Sequence, residues 1–415
     1  MRKVRTSRRL LLPAAALLAG LLLHGCGGVL PGQGLAAAPP RPESVDAALA
    51  EAADRFSIGL LQAVHAERPD GNLFLSPISA QVILSLTANG ARGETQQEML
   101  ATLGYDQTDI GAVNEAMRDV RGLMAHPGEK VELTTASAVW YDRRFEVVPA
   151  FREVAGEHYG ADLHEATFGR PEAAEAINRW VAGRTRDRIK DLIDETTEDT
   201  RMVLVNALSF KGEWTEPFDP DRTEPGPFHR RDGSVVQVPF MRQTGTFGYL
   251  AEEGLVGVRL PYGEGDLALY AFMPDEWDGF VEGLTPERYR QWIDAIEEER
   301  IRLAFPKVRL EDTHELRDPL IALGMGRAFD FERADFSGLL DTPEPLYIDR
   351  VIQKTFLEIH EEGTEAAAAT AVEMRAGSAP MASPPAVVLD RPFLLAIRDD
   401  RTGVTLFMGA ILDPS

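Results

Sequence analysis

The 415-residue sequence holds a single cysteine, Cys26, so no disulfide can form within the chain and the fold must be held by its core. Positive charge is scarce as well: 43 Lys and Arg stand against 66 Asp and Glu, for a formal net charge of -23. That balance argues against a folded surface built for nucleic acid or anionic membrane and suits a soluble, self-repelling body. Catalytic signatures are missing too. There is no Gly-x-Ser-x-Gly elbow, no His-Glu-x-x-His helix, no Ser-x-x-Lys and no cysteine nucleophile beyond residue 26. The eight histidines sit in unlike contexts. His360 adjoins Glu361 and Glu362, but successive side chains of an extended segment point to opposite sides and cannot all face one ion. No metal and no cofactor is called for.

Long hydrophobic runs are also few. The run Leu10–Leu23, interrupted by Pro13 and Gly20, is too short for a comfortable membrane span, and it follows five basic residues, Arg2, Lys3, Arg5, Arg8 and Arg9. This is the pattern of a targeting segment. Leu23-His24-Gly25-Cys26 resembles a bacterial lipoprotein cleavage box, in which Cys26 would carry the lipid, although His24 departs from the small or β-branched residue usual there. Ser7-Arg8-Arg9-Leu10-Leu11-Leu12 is similar to a twin-arginine export signal; free secretion after Ala36-Ala37-Ala38 is the alternative. Residues 1–26 thus read as a signal, 27–43 as a Gly/Ala/Pro-rich tether to an exported domain, and 44–415 as one domain of about 370 residues.

With 44% apolar and 26% charged residues, that domain can bury a sizeable core. Helical periodicity appears at 45–66, 77–90, 94–103, 109–124, 148–158, 171–186, 286–298 and 313–323. Strand-like runs appear at 131–141, 202–210, 245–250, 255–261, 267–273, 301–310, 346–359, 386–397 and 403–411. The order is not a regular βαβ alternation, which favours an α+β fold with large, mostly antiparallel sheets. The nearly unbroken apolar run Met202–Phe210 predicts a strand covered on both faces.

Residues 361–385 carry two conflicting signals. From Thr364 the even positions (Thr364, Ala366, Ala368, Thr370, Val372, Met374, Ala376) suit burial, whereas Glu365, Glu373 and Arg375 fall on odd ones, the period of a half-buried strand. Composition rich in Ala, Glu and Met favours helix, and the Pro-rich end favours an exposed loop. A segment that suits two states is a candidate for changing state.

Two amides stand where a bland core would place apolar groups. Asn206 interrupts Met202–Phe210, and Gln353 shares parity with Val351, Thr355, Leu357 and Ile359. A buried amide left unpaired costs ~1–3 kcal/mol, so each needs partners. Either each is satisfied locally, or they form a cluster with the helix start Ser76-Pro77-Ile78-Ser79 that holds strands together while letting them part.

At this point the chain resembles a serpin. The resemblance runs over residues 44–415 and rests on several motifs in order: Asn72-Leu73-Phe74-Leu75-Ser76-Pro77-Ile78-Ser79; Gly90-Ala91-Arg92-Gly93-Glu94-Thr95; Ile177-Asn178-Arg179-Trp180-Val181 with Thr185, Ile189, Asp191 and Leu192; Leu204–Trp214; Val387–Ile397; and Leu406-Phe407-Met408-Gly409. It implies about nine helices around three mostly antiparallel sheets, with an exposed reactive-centre loop at 362–385 and a hinge at 361–371. Glu361, Gly363, Thr364, Glu365, Ala366, Ala367, Ala368, Ala369 and Thr370 are similar to the hinge of inhibitory members. Ser76, Ser79, Asn206, Gln353 and Trp214 match the places where the main sheet opens. Gln353 replaces the histidine common there; an amide still donates and accepts, but a titratable group at that position is gone.

The resemblance implies a monomer that irreversibly inhibits serine, and by extension cysteine, endopeptidases. The protease cleaves the loop, is held as an acyl-enzyme, and the hinge enters the main sheet. The alternative is a non-inhibitory relative, a binding or chaperone-like module that is cut only as a substrate. Ala366–Ala369 have little bulk and little side-chain entropy to lose on insertion, which favours inhibition. Counting from Glu361 by the family spacing puts the reactive bond at Gly377–Ser378; aligning back from Pro384-Pro385 puts it at Met381–Ala382. The difference of four residues is about 13 Å of extended chain. Small residues around Gly377 suit a protease that prefers small or apolar side chains.

Overall fold

Parity and length decide which apolar runs become sheet and which become helix, and the computed structural model, which describes residues 38–105, 108–364 and 383–415, shows the outcome. In chain order the helices are α1 (Ala47–Glu67), α2 (Pro77–Gly90), α3 (Gly93–Thr102), α4 (Ile110–Ala125), α5 (Pro149–Val154), α6 (Pro171–Arg184), α7 (Pro286–Asp294) and α8 (Arg317–Ala322). The strands are β1 (Leu73–Leu75), β2 (Val131–Asp142), β3 (Glu146–Val147), β4 (Asp162–Ala166), β5 (Met202–Glu213), β6 (Glu224–His229), β7 (Val235–Glu252), β8 (Leu255–Tyr262), β9 (Leu267–Pro274), β10 (Glu297–Pro306), β11 (Val308–Glu315), β12 (Leu340–Asp341), β13 (Arg350–His360), β14 (Gly363–Thr364), β15 (Ala386–Val388), β16 (Phe393–Asp399) and β17 (Val404–Ile411). Among the described residues there are thus eight α-helices, where about nine were expected.

The strands form three sheets. A nine-stranded sheet follows the order β1-β17-β16-β9-β8-β7-β10-β15, with β6 paired to β7. A six-stranded sheet runs β11-β13-β14-β5-β2-β4, and β12 pairs with β3. Most pairs are antiparallel; β10–β15, β13–β5 and β2–β4 are parallel. This is the α+β architecture expected from the irregular alternation of helical and strand patterns.

Strand β5, inside the six-stranded sheet, is buried on both faces, as the run Met202–Phe210 predicts. Met202, Leu204, Leu208 and Phe210 of β5 face the large core shared with the nine-stranded sheet and α2. Val203, Val205 and Ala207 face a second, smaller cluster with Ile177 and Val181 of α6 and Ile189, Leu192 and Ile193 beyond it. Helix α2 is buried almost all round, from Ile78 to Ala88, and opens with Pro77 at its first turn, where the missing N–H has no intrahelical partner to lose.

Three expected runs divide differently. The strand read at 301–310 is two strands, because the chain leaves the nine-stranded sheet at Pro306 and enters the six-stranded sheet at Val308. The helix read at 313–323 shrinks to α8: pairing of Thr313–Glu315 with Ile352–Lys354 overrides local helix preference. The run 386–397 breaks at Leu389–Pro392 between β15 and β16. Residues 38–43, read from composition as part of the tether, lie against the body: the Pro40 carbonyl is where a Cβ on Gly122 of α4 would have to go.

Candidate functional site

The strands β5 and β13 are held differently along their length. From Arg350↔Val203 to Phe356↔Ser209 they pair directly and in parallel. Above that point they diverge, and the two-residue strand β14 lies between them, antiparallel to both: Thr364 opposes Ile359 and Gly212, and Gly363 opposes His360 and Glu213. The first residues of the expected hinge are therefore already in the sheet. Only glycine fits at 363, where φ is 150° and a Cβ would lie 2.0 Å from the Gly212 carbonyl oxygen.

Four side chains from elsewhere in the chain, Tyr262, Trp214, Lys307 and Thr223, fix this wedge. Thr364 is fully buried, and its hydroxyl is 2.8 Å from the Tyr262 hydroxyl. Burial pushes the Tyr262 phenol up, and the bond to Thr364 only partly offsets it, so it stays neutral. The Tyr262 ring stacks on Trp214 at 4.4 Å. Trp214 Nε1 donates to the His360 carbonyl at 2.9 Å, its amide donates to the Glu362 carbonyl at 3.0 Å, and the Phe218 amide donates to the Glu361 carbonyl at 2.8 Å. The Glu361 carboxylate accepts from Lys307 Nζ at 2.9 Å and from the Thr223 hydroxyl at 2.7 Å. Burial opposes the Glu361 charge, but the bonds from Lys307 and Thr223 outweigh it and hold the carboxyl below its ordinary range.

Lower down, the closed part is pinned by neutral groups. Gln353 and Asn206 are register partners. Gln353 Nε2 donates to Asn206 Oδ1 at 2.7 Å and to the Ser76 carbonyl at 2.9 Å, while its Oε1 accepts from the Ser76 amide at 2.8 Å. Asn206 Nδ2 donates to the hydroxyls of Ser79 at 2.5 Å and Ser137 at 3.0 Å. The Ser76 hydroxyl donates to the Leu406 carbonyl at 2.6 Å and so leaves the start of α2 without a side-chain cap. Of the two readings open for these amides, the cluster is the observed one: every amide is satisfied, and the partners come from α2, β2, β5, β13 and β17.

A lid covers the outer face of this strand pair. Helix α6 and the segment after it pack on β2, β5 and Ile352 through the second apolar cluster. Asn178 staples that segment, donating to the Ile193 carbonyl and accepting from the Leu192 and Ile193 amides. Lys354 of β13 reaches up to donate to the Lys190 carbonyl at 2.6 Å and pairs with Glu311 at 2.7 Å. Arg186, Asp187 and Asp191, in the same segment, adopt left-handed backbone angles with φ between 51° and 62°, a conformation costly for side chains other than glycine.

The six-stranded sheet is thus wedged open by β14, pinned below by amides and covered by a helix. The family model described as Serpin (serine protease inhibitor) matches residues 51–414. The chain belongs to the serpin family. An uncharacterised serpin-like protein of Thermococcus kodakarensis is 36% identical over 351 residues, covering 83% of this chain and 81% of that one. The leukocyte elastase inhibitor of Sus scrofa is 32% identical over 382 residues, covering 88% and 99%. Among solved structures, the native state of the thermophilic serpin tengpin superposes with a TM-score of 0.83 at 30% identity, covering 91% of this chain and 97% of that one. Serpins are in general protease inhibitors rather than enzymes, and inhibitors stand among the relatives of this chain.

The sequence reading brought Ser76, Ser79, Asn206, Gln353, Trp214, Glu361, Gly363 and Thr364 to this site, and the serpin structure gathers all of them there. Glu365, Ala366–Thr370, Gly377, Ser378, Met381, Ala382 and Cys26 lie outside the described residues. Five contributors were missed. Ser137, Tyr262 and Lys307 come from distant strands and strand ends with no local motif. Asp312 and His314 had a signal: the alternation Val308-Leu310-Asp312-His314 puts both on the inner face of β11, where His314 opposes Gln353. Asp312 accepts from the Phe74 amide at 3.0 Å, from Arg68 at 2.8 Å and from His314 Nε2 at 2.8 Å. Burial works against the Asp312 charge, yet the bonds from His314, Arg68 and Phe74 keep its carboxyl below the ordinary range. The Phe74 carbonyl also accepts from Thr355 at 2.7 Å, so the chain just before Ser76 is tied to β13 at two successive turns of the pleat.

Proposed function

We propose that this serpin is an irreversible suicide-substrate inhibitor of serine endopeptidases, with cysteine endopeptidases as the second class to screen. Its target attacks the carbonyl of Gly377, an acyl bond to the protease nucleophile forms, and the amine of Ser378 leaves. The hinge then continues into the sheet from Thr364, separating β13 from β5 and pulling the acyl-enzyme away before water can release it. The observation that carries this reading is Thr364, fully buried between the two strands and followed, after Glu365, by the four alanines 366–369, which offer little bulk to obstruct further insertion. The new strand would gain backbone hydrogen bonds on both edges, which is the driving force for insertion. The acidic, disulfide-free domain is exported and held at the cell envelope by lipid on Cys26. Small residues about Gly377, and the name of the pig relative, support a protease that accepts small or apolar side chains.

The test is a screen of elastase-, subtilisin-, chymotrypsin- and trypsin-like proteases for complexes that survive boiling in detergent. Mass spectrometry should find a new N-terminus at Ser378 and a lipidated mature terminus at Cys26. An N-terminus at Ala382 would move the bond to Met381. No complex with any protease, together with an unchanged melting curve after loop cleavage, would leave the non-inhibitory reading.

A further inference from the structure

The carboxylate of Asp399, at the end of β16, is fully buried, and its cationic partner among the described residues is Arg41, from the segment that precedes α1. Arg41 is itself largely buried. One guanidinium nitrogen meets Asp399 and the other donates to Asp266, in the turn before β9, at 3.1 Å. Asp399 also accepts from the Thr402 amide and hydroxyl, each at 2.9 Å, so the site is closed and organised around the incoming arginine. Arg401 donates to the Pro42 carbonyl and to Asp266, which adds a second clasp on the same segment. One residue upstream the contact changes partner. The Pro40 carbonyl sits where a Cβ on Gly122 would be, 2.4 Å from the ideal position, so the segment lies directly on α4. Ala38 then borders a cavity of about 230 Å³ bounded by Met124 and Arg121 of α4, Thr135–Ser137 of β2, and Trp180 of α6.

These contacts join two layers. Asp399 and Asp266 belong to the ends of the nine-stranded sheet, whereas α4 packs beside β2, whose Ser137 is bonded to Asn206 in the closed part of the strand pair. Further separation of β13 from β5 must displace β5 and β2 together, and the cavity beside Thr135–Ser137 is the space on that side. We propose that residues 38–42 are a strap: Arg41 fastens it to the nine-stranded sheet and Pro40 presses it on α4, so that it holds the layer that must move when the sheet opens and prolongs the life of the uncleaved state. The inference rests on loop insertion as the mode of action. Its prediction concerns a segment that composition alone assigns to a tether.

The experiment follows full-length protein over time at a fixed temperature, scoring its remaining capacity to form detergent-stable complexes with a subtilisin-type protease that it traps when fresh. Melting of the uncleaved and loop-cleaved forms is recorded alongside. Arg41→Ala should shorten the lifetime of the active form at least tenfold and lower the melting temperature of the uncleaved form more than that of the cleaved form. The double variant Arg41→Ala with Asp399→Asn separates the strap from the simple penalty of an unpaired buried carboxylate: it should remain short-lived. Gly122→Ala, which displaces Pro40 and leaves Arg41 intact, should shorten the lifetime about threefold. Equal loss in cleaved and uncleaved forms, wild-type lifetime in the double variant, or no effect of Gly122→Ala together with none of Arg41→Ala would each overturn the strap. Absence of any melting rise on cleaving the wild-type loop would instead overturn the insertion reading beneath it.

Discussion

The upper and lower halves of the β5–β13 pair are held by different chemistry. Above Phe356 the strands are kept apart by a wedge whose supports are aromatic and charged: Tyr262 on Trp214, Lys307 on Glu361, and a threonine hydroxyl on a phenol. Below, they are joined by two carboxamides and by hydroxyls, with no charge in the cluster. Under the proposed mode of action the wedge is where insertion starts, because Gly363 and Thr364 already occupy strand positions. Under the same proposal the amides set how hard it is to continue, because every step below Thr364 would break parallel pairing and leave buried donors to find new partners. Titrating carboxylates lie in both halves: Glu361 in the wedge, and Asp312 with His314 and Arg68 beside the amides of the closed part.

Changes at the two ends should therefore differ in kind and size. The largest expected effect is Thr364→Arg, which forces an unpaired charge into the site now filled by a hydroxyl; detergent-stable complexes should vanish and the protein should be cut as a substrate, read on a gel. Persistence of stable complexes in this variant would break the assignment of the wedge as the start of insertion. Next, Gln353→Leu strips partners from the Ser76 amide and Asn206 Oδ1, and should cost the uncleaved form about 3 kcal/mol in denaturant unfolding. Gln353→His would place a second titratable group at the closed pair, opposite His314. A buried imidazole is held neutral, so this variant should match the wild type near pH 8 and lose stability as pH falls below ~6.5; flat melting temperatures between pH 8 and 5 would contradict that.

Smaller effects are expected in the wedge. Glu361→Gln weakens the bond to Lys307, which is 37% exposed and so partly screened, and should cost about 1 kcal/mol. Because the folded carboxyl lies below its ordinary value of 4.5, the pair is fully present above that pH and is lost as pH falls through the lower folded value. The wild type should consequently melt earlier below pH 4.5, and Glu361→Gln should remove part of that dependence. Tyr262→Phe takes away the phenol facing Thr364 but keeps the stack on Trp214, and should cost roughly 1 kcal/mol, checked by thermal melting. An effect larger than that of Gln353→Leu would reverse the ranking of the two halves.

Much of this site was legible because it is built from strands whose faces alternate. Parity alone put Gln353 with Val351, Thr355 and Leu357 on the inner face, and β13 presents them so. The same rule would have identified Asp312 and His314, but the helix-favouring residues after Thr313 masked it until pairing with β13 was known. Tyr262 and Lys307 were out of reach of any such rule. Each ends or follows a strand of the other sheet and meets the hinge only because the chain returns there.

The sequence by itself determined which residues can be buried, where the chain alternates, and that a run of four alanines begins two residues after Thr364. It also made the family recognisable, since the motifs are short and keep their order along the chain. Tertiary structure decided that Gly363 and Thr364 lie between β5 and β13, which histidine lies at the closed strand pair, and that Arg41 is part of the body. Those outcomes depend on groups far apart in sequence. Asp399 and Arg41 are separated by 358 positions, and only folding brings the arginine to a carboxylate with no water left to solvate it.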